Sequence, residues 1–145
     1  MQAERKSMSG SRIIPGMRYR DPQKMIDWLG EAFGFNLHAS YDGPDGAPVH
    51  VQMTLGDGMI MFGPALDDDY GQLVKPAVLG QPVNQSAYVV VEDIDAHYAK
   101  AKEGGAEILR ELADTEYGSR EYLARDPEGH LWSFGTFDPW VPQEQ

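Results

Sequence analysis

The chain contains no cysteine, which removes thiolate nucleophiles, disulfides and cysteine-held zinc together. Positive charge is scarce as well: 12 Lys and Arg stand against 23 Asp and Glu, for a formal net charge of −11. Such a surface repels phosphate backbones and no basic cluster offsets it, so nucleic acid is not expected as a partner and a cationic ligand fits better. Long hydrophobic runs are missing too. Met1 to Arg12 mixes Glu4, Arg5 and Lys6 with Ser and Gly, which makes neither a signal peptide nor a membrane anchor; the expectation is a cytoplasmic protein with no membrane partner. There is no Gly-x-Ser-x-Gly nucleophile turn, no glycine-rich loop opening a helix and no His-x-x-x-His pair, the local signatures of acyl transfer, phosphate binding and a helical metal site.

What is present suffices for one ordinary domain. The 145 residues, 41% hydrophobic and 24% charged, bury a core without a staple. The sharpest local signal is Asp126-Pro127-Glu128-Gly129: proline presets the turn dihedral, the aspartate bonds its own downstream backbone and the glycine relieves any left-handed conformation. The runs on either side, Ser119 to Arg125 and His130 to Thr136, are β-like and form an antiparallel hairpin. Val49 to Leu55, Gly56-Asp57-Gly58 and Met59 to Gly63 repeat the design, with Gly58 matching Gly129 half a chain later. The helix-capping Asp21 and Asp93 match at nearly the same separation. An offset of half the chain implies a duplicated unit of strand, helix and three strands.

Taken in order, residues 1–12 form a mobile arm and Ile13 to Arg20 the first strand. Asp21 caps a helix with Pro22 at its first position; Met25, Ile26, Leu29 and Phe33 form its buried stripe, and Gly34 ends it. Phe35 to Tyr41 is a second strand, followed by the turn cluster Asp42 to Gly46. Pro64 to Gln85 lacks periodicity and links the two units; Tyr70 beside Asp67, Asp68 and Asp69 suits a lid over a cation, while a solvated linker explains the same residues. Ser86 to Glu92 is a buried strand, and Asp93 caps a helix with Ile94, Tyr98 and Ala101 inward and Gly104-Gly105 at its end. Ala106 to Leu112 is the next strand, and residues 138–145 form a tail.

Four stretches together resemble the vicinal oxygen chelate superfamily, in its glyoxalase-like and bleomycin-resistance-protein-like single-domain branch. They are Arg18-Tyr19-Arg20-Asp21-Pro22, His50 with Leu55-Gly56-Asp57-Gly58, Val91-Glu92-Asp93-Ile94-Asp95-Ala96, and Asp126 to Thr136. The resemblance spans Ile13 to Phe137. It implies an α+β fold of two βαβββ modules, 13–63 and 86–137 joined by linker 64–85, whose curled mixed sheets surround a cavity, and it implies a homodimer. Sheets with open edges favour association in any case. In the superfamily's metal enzymes the ligands, typically His and Glu, come from the first and fourth strands of each module. Those positions fall here on Ile14, Phe62, Ser86 and Ser133. None is a usual ligand, so neither a metal nor another cofactor is expected.

Alternation then places Gly16, Arg18, Ile60, Tyr88, Val90 and Leu131 on the cavity faces, and Met17, Tyr19, Met61, Ala87, Val89, Val91, Trp132 and Phe134 toward the helices. The expected ligand-binding set is Ile14, Arg18, His50, Phe62, Ser86, Tyr88 and Ser133, with His50 sharing its face with Gln52. His38 and His97 are expected at the surface, and His130 as a structural residue bonding backbone. Glu121 and Tyr122 lie on opposite faces, so one of them at most points inward. The leading expectation is a protein that holds a small organic molecule, a cationic or aromatic antibiotic or metabolite, in a metal-free cavity. The alternative is a metal-dependent lyase, isomerase or dioxygenase whose displaced site uses His50, His130 or Glu121. A dimeric scaffold with a vestigial cavity is a third reading, and catalysis stays open.

Overall fold

The computed structural model describes residues 10–142; positions 1–9 of the expected arm and 143–145 of the expected tail lie outside the described residues. Within them the chain forms two compact units, one running to Gly30 and over Gly34–Pro76, the other made of Glu31–Phe33 and the chain from Ala77 on. Each contains a four-stranded mixed sheet. The architecture is the α+β fold of the sequence reading.

In the first unit, Asp21 accepts a hydrogen bond from the Lys24 amide and Pro22 opens α1 (Pro22–Trp28), as their chemistry dictates. The helix continues as one π turn, Leu29–Phe33, and stops at Gly34. Strand β1 (Gly16–Tyr19) precedes it; β2 (Asn36–Asp42), β3 (Pro48–Leu55) and β4 (Gly58–Pro64) follow in the sheet order β1-β4-β3-β2, with β1 and β4 parallel. Met25, Ile26 and Leu29 are buried with Val51, Met53, Ile60 and Phe62, which mark the helix-covered side of the sheet. Tyr19 meets Phe62 edge-on at 5.0 Å. The segment after β4 carries a five-residue helix, α2 (Asp69–Leu73), capped by Asp68 onto the Gly71 amide. One turn is too short to leave a periodic pattern, which is why the sequence shows none there.

The second unit repeats the order: β5 (Ala87–Val90), α3 (Ile94–Glu103), β6 (Glu107–Asp114), β7 (Arg120–Arg125) and β8 (Leu131–Gly135), arranged β5-β8-β7-β6 with β5 and β8 parallel. Strands β1 and β5 are shorter than their sequence runs, and Ile14 and Ser86 lie just outside them. The turn joining β7 to β8 is built on Asp126, which is 2% exposed. Its Oδ1 accepts from the amides of Glu128 and His130 at 2.9 and 3.1 Å, and its Oδ2 accepts from the Trp132 indole at 3.0 Å. A buried carboxylate is costly unless bonded in this way.

An aromatic cluster fills the core of this unit. Phe134 lies 4.7 Å from Phe33, 5.2 Å from Tyr122 and 4.4 Å from His97 between ring centroids. His97, expected at the surface, is half-buried here instead. A carbonyl only accepts, so Nε2–H of His97 donates to Phe33 O at 2.8 Å, and its bare Nδ1 accepts from the Tyr122 hydroxyl at 2.6 Å. Both ring nitrogens are used, and a neutral imidazole satisfies both contacts. Burial holds its pKa below the ordinary 6.5 against the opposing pull of the Phe33 carbonyl, with Lys100 adding to the depression.

The sign of the resulting pH dependence follows. The unfolded chain takes a proton at His97 near pH 6.5 and the folded chain resists it, so stability contributed by this residue is present above that pH and lost as pH falls below it. Thermal midpoints of the wild type are expected to drop between pH 7 and 5. His97→Gln is expected to melt lower at pH 7 and to show a flatter slope over that interval; an unchanged slope would refute the assignment.

Candidate functional site

Each sheet packs one side under its longer helix, α1 or α3, and the strand register decides which residues stand on the opposite, open face. In the first unit Val51 pairs with Phe62 and Gln52 with Met61. In the second, Tyr122 pairs with Phe134 and Leu123 with Ser133. By their places in the two sheets, Phe62 therefore matches Phe134, and Met61 matches Ser133. Phe62 is buried against Tyr19 on the helix side, which corrects its expected place on the open face; Met61 stands there in its stead. Ile60 moves to the core with it. The cause is turn length. Leu55 pairs directly with Gly58, whereas the Asp126 amide bonds across to His130 O, one residue further on. Matching Gly58 to Gly129 hides that extra residue, and a slip of one position inverts every side chain.

The remaining expected site residues divide between the two units. On the first, Arg18 lies on the open face with its Nη1 toward Pro64 O at 3.4 Å and its guanidinium 4.5 Å from the Tyr70 ring centroid. The ring offered by sequence as a lid for a foreign cation thus holds the chain's own. His50 is half-buried on the same face, its Nε2 3.1 Å from Gln52 Nε2 and its ring 5.9 Å from that of Tyr41. Ile14 precedes β1 and is partly covered, next to Pro15, whose carbonyl accepts from the Met61 amide.

On the second unit, Tyr88 and Ser133 are register partners on the open face. Ser86 is exposed ahead of β5. The Tyr88 hydroxyl donates to Phe137 O at 2.7 Å. Burial and the nearby Glu121 carboxylate raise its pKa above the ordinary 10.0, despite an opposing hydrogen bond with Ser119. Two residues outside the expected set join it. Glu121 pairs with Gly135 and reaches over it, and Tyr117 donates its hydroxyl to Glu121 Oε1 at 2.7 Å. Tyr117 also meets Phe137 edge-on at 5.9 Å. A signal for Glu121 was available: Tyr122 inward, as its aromatic neighbours require, leaves Glu121 on the open face.

A family model for the Glyoxalase/Bleomycin resistance protein/Dioxygenase superfamily matches residues 15–134. The chain belongs to this superfamily. An uncharacterized protein of Mycobacterium bovis is 31% identical to it over 129 residues, covering 85% of this chain and 81% of the relative. The crystal structure of TioX from Micromonospora sp. ML1 is similar at 32% identity and a TM-score of 0.70, over 87% of this chain and 98% of that one. The fosfomycin resistance protein FosX from Mesorhizobium loti, at 14% identity, shares the fold with a TM-score of 0.62 over 89% of this chain and 93% of its own.

The resemblance implies metal ligands in the first and fourth strands of each module, and with the register corrected those places fall on Ile14, Met61, Ser86 and Ser133. An alkyl group, a thioether and two hydroxyls do not fit zinc, which takes imidazole, thiolate or carboxylate, nor a hard cation, which wants several strong oxygen donors. Among the described residues no three His, Asp or Glu side chains are grouped to hold an ion. Nor is any helix among them long and apolar enough to cross a membrane.

Gly63 and Gly135, which occupy matching places in the two sheets, are where side chains press onto bare backbone. A Cβ on Gly63 would stand 2.6 Å from Arg18 Nη1 and 2.7 Å from Val49 O; on Gly135 it would meet Tyr88 Oη at 2.6 Å and Glu121 Cγ at 2.7 Å. A backbone oxygen yields less than a side-chain end. Gly63→Ala is expected to cost about 1–3 kcal/mol and Gly135→Ala less, since Tyr88 and Glu121 can swing aside. Urea midpoints in the reverse order would contradict this geometry.

Proposed function

We propose that this chain is a superfamily member that binds a small organic molecule without a metal, on the open faces of its sheets. The observation that carries the reading is the donor-poor set Ile14, Met61, Ser86 and Ser133 at the superfamily's metal positions. What stands on those faces suits organic recognition. On the first unit's face Met61 stands with His50, Gln52 and Arg18, and on the second unit's face Tyr88, Val90 and Leu123 stand with Ser133 and Glu121; each mixes apolar surface with a few polar points, the usual make-up of a small-molecule site. Sequestration of an antibiotic or metabolite is the finer form of the proposal. A homodimer completes it: β2 and β6 are edge strands with one side unpaired in their sheets, and such edges favour cover.

A panel of organic cations, neutral aromatics and anions, screened by thermal shift with and without EDTA, tests the proposal. A ligand-induced rise in midpoint that survives chelation, together with substoichiometric metal by elemental mass spectrometry, is expected. A stoichiometric Zn, Mn, Fe or Ni whose removal abolishes the shift would overturn it.

A further inference from the structure

We infer that the open face of the first unit, around Gln52, binds a flat organic molecule through a paired N–H donor and carbonyl acceptor, the pattern of a lactam or primary carboxamide. The inference rests on the reading of the open faces as ligand-binding surfaces and adds the ligand's chemical class. Gln52 Nε2 lies 3.1 Å from His50 Nε2. A carboxamide nitrogen only donates, so a neutral imidazole protonated at Nδ1 accepts here. Both residues are half-buried, and the His50 ring lies 5.9 Å from that of Tyr41, so the carboxamide is held at its nitrogen by a ring that is itself braced. Among the described residues Gln52 makes no other hydrogen bond, which leaves its Oε1 and its second N–H for a ligand. One planar group thus offers an acceptor and a donor in a fixed place. A flat ligand edge with N–H next to C=O answers both, and the hold of His50 lowers the cost of ordering the amide.

There is room for the body of such a molecule. Across the sheet Gln52 is flanked by Ala39 on β2 and Met61 on β4, and Met61 in turn by Gly16 on β1. Short residues therefore stand at both ends of this row. A Cβ on Gly16 would meet nothing within 4 Å, so the space above β1 is open. Met61, half-buried between that space and Gln52, presents a thioether that adapts to a ring laid against it. Neither Gln52 nor Met61 carries a charge, so hydrogen-bond pattern and shape select the ligand.

The duplication supplies an internal contrast. The matching row of the second sheet reads Tyr88, Ser133, Leu123 and Arg110. A tyrosine stands where Gly16 leaves room, a leucine where Gln52 offers its amide, and an arginine in the place of Ala39. One plan thus builds the amide-reading surface on the first sheet and not on the second.

The test titrates the full chain with carbostyril, a flat bicyclic lactam with N–H beside C=O, and with N-methylcarbostyril, which keeps the shape and loses the donor, by calorimetry and by two-dimensional NMR. Carbostyril is expected to bind the wild type roughly tenfold more tightly than its methylated counterpart, with shifts centred on Gly16, Gln52 and Met61. Gln52→Leu is expected to erase that preference. Gly16→Leu, whose side chain enters open space and leaves the fold intact, is expected to weaken both probes several-fold. Melting curves confirm that both variants fold. Equal binding of the two probes, no binding of carbostyril, a preference undiminished in Gln52→Leu, or binding unmoved by Gly16→Leu would overturn the inference. If other members of the wider panel still bind, the small-molecule reading survives that failure; if nothing in the panel binds, both fall.

Discussion

Strand registration, fixed by the length of two hairpin turns, is the constraint on which the rest of this structure depends. In the second unit it is enforced by one buried carboxylate. Asp126 gathers two turn amides and the Trp132 indole, so the turn cannot shorten without stranding a charge in the core. Trp132 and Phe134 are thereby held against Phe33 and His97, and Ser133 is held on the other side. The first unit reaches the same pairing through a turn one residue shorter, which sends Phe62 inward and Met61 outward. The chemistry available on each open face is decided there, before any ligand is considered.

Two faces built on one duplicated plan consequently differ. On the first, a guanidinium from β1 folds back over its glycine and onto an aromatic ring of α2. On the second, the same place is flanked by a carboxylate and two tyrosines. Among the described residues neither face groups three His, Asp or Glu side chains that could hold an ion. What distinguishes the faces is aromatic surface and one carboxylate, Glu121, that has no ion-pair partner among the described residues.

Much of the fold is legible in the residues because its signals are local. Asp21 with Pro22, and Asp93, start helices where their side-chain oxygens can cap amides, and both do. The Asp126 turn bonds its own downstream backbone as its composition dictates. What escapes a sequence reading are properties that depend on partners distant along the chain. The glycine match between Gly58 and Gly129 cannot reveal that the turns differ by one residue, and it puts Phe62 on the wrong face. His97 reads as a surface residue although Ile94, His97 and Ala101 fall at helical spacing; its polar ring conceals a place that only Phe33 and Tyr122 explain. Glu121 and Tyr117 stand outside the expected site because neither carries a motif, and their meeting needs the bare backbone of Gly135.

Because the chain has no cysteine, single thiols report face directly. Met61→Cys and Ser133→Cys, compared with Phe62→Cys and Phe134→Cys, would be labelled with a maleimide under native conditions. The register described here predicts rapid labelling of the first pair and protection of the second until the chain unfolds. Labelling of Phe62→Cys as fast as Met61→Cys would mean that β4 faces the other way, and the account of strand registration would fall with it.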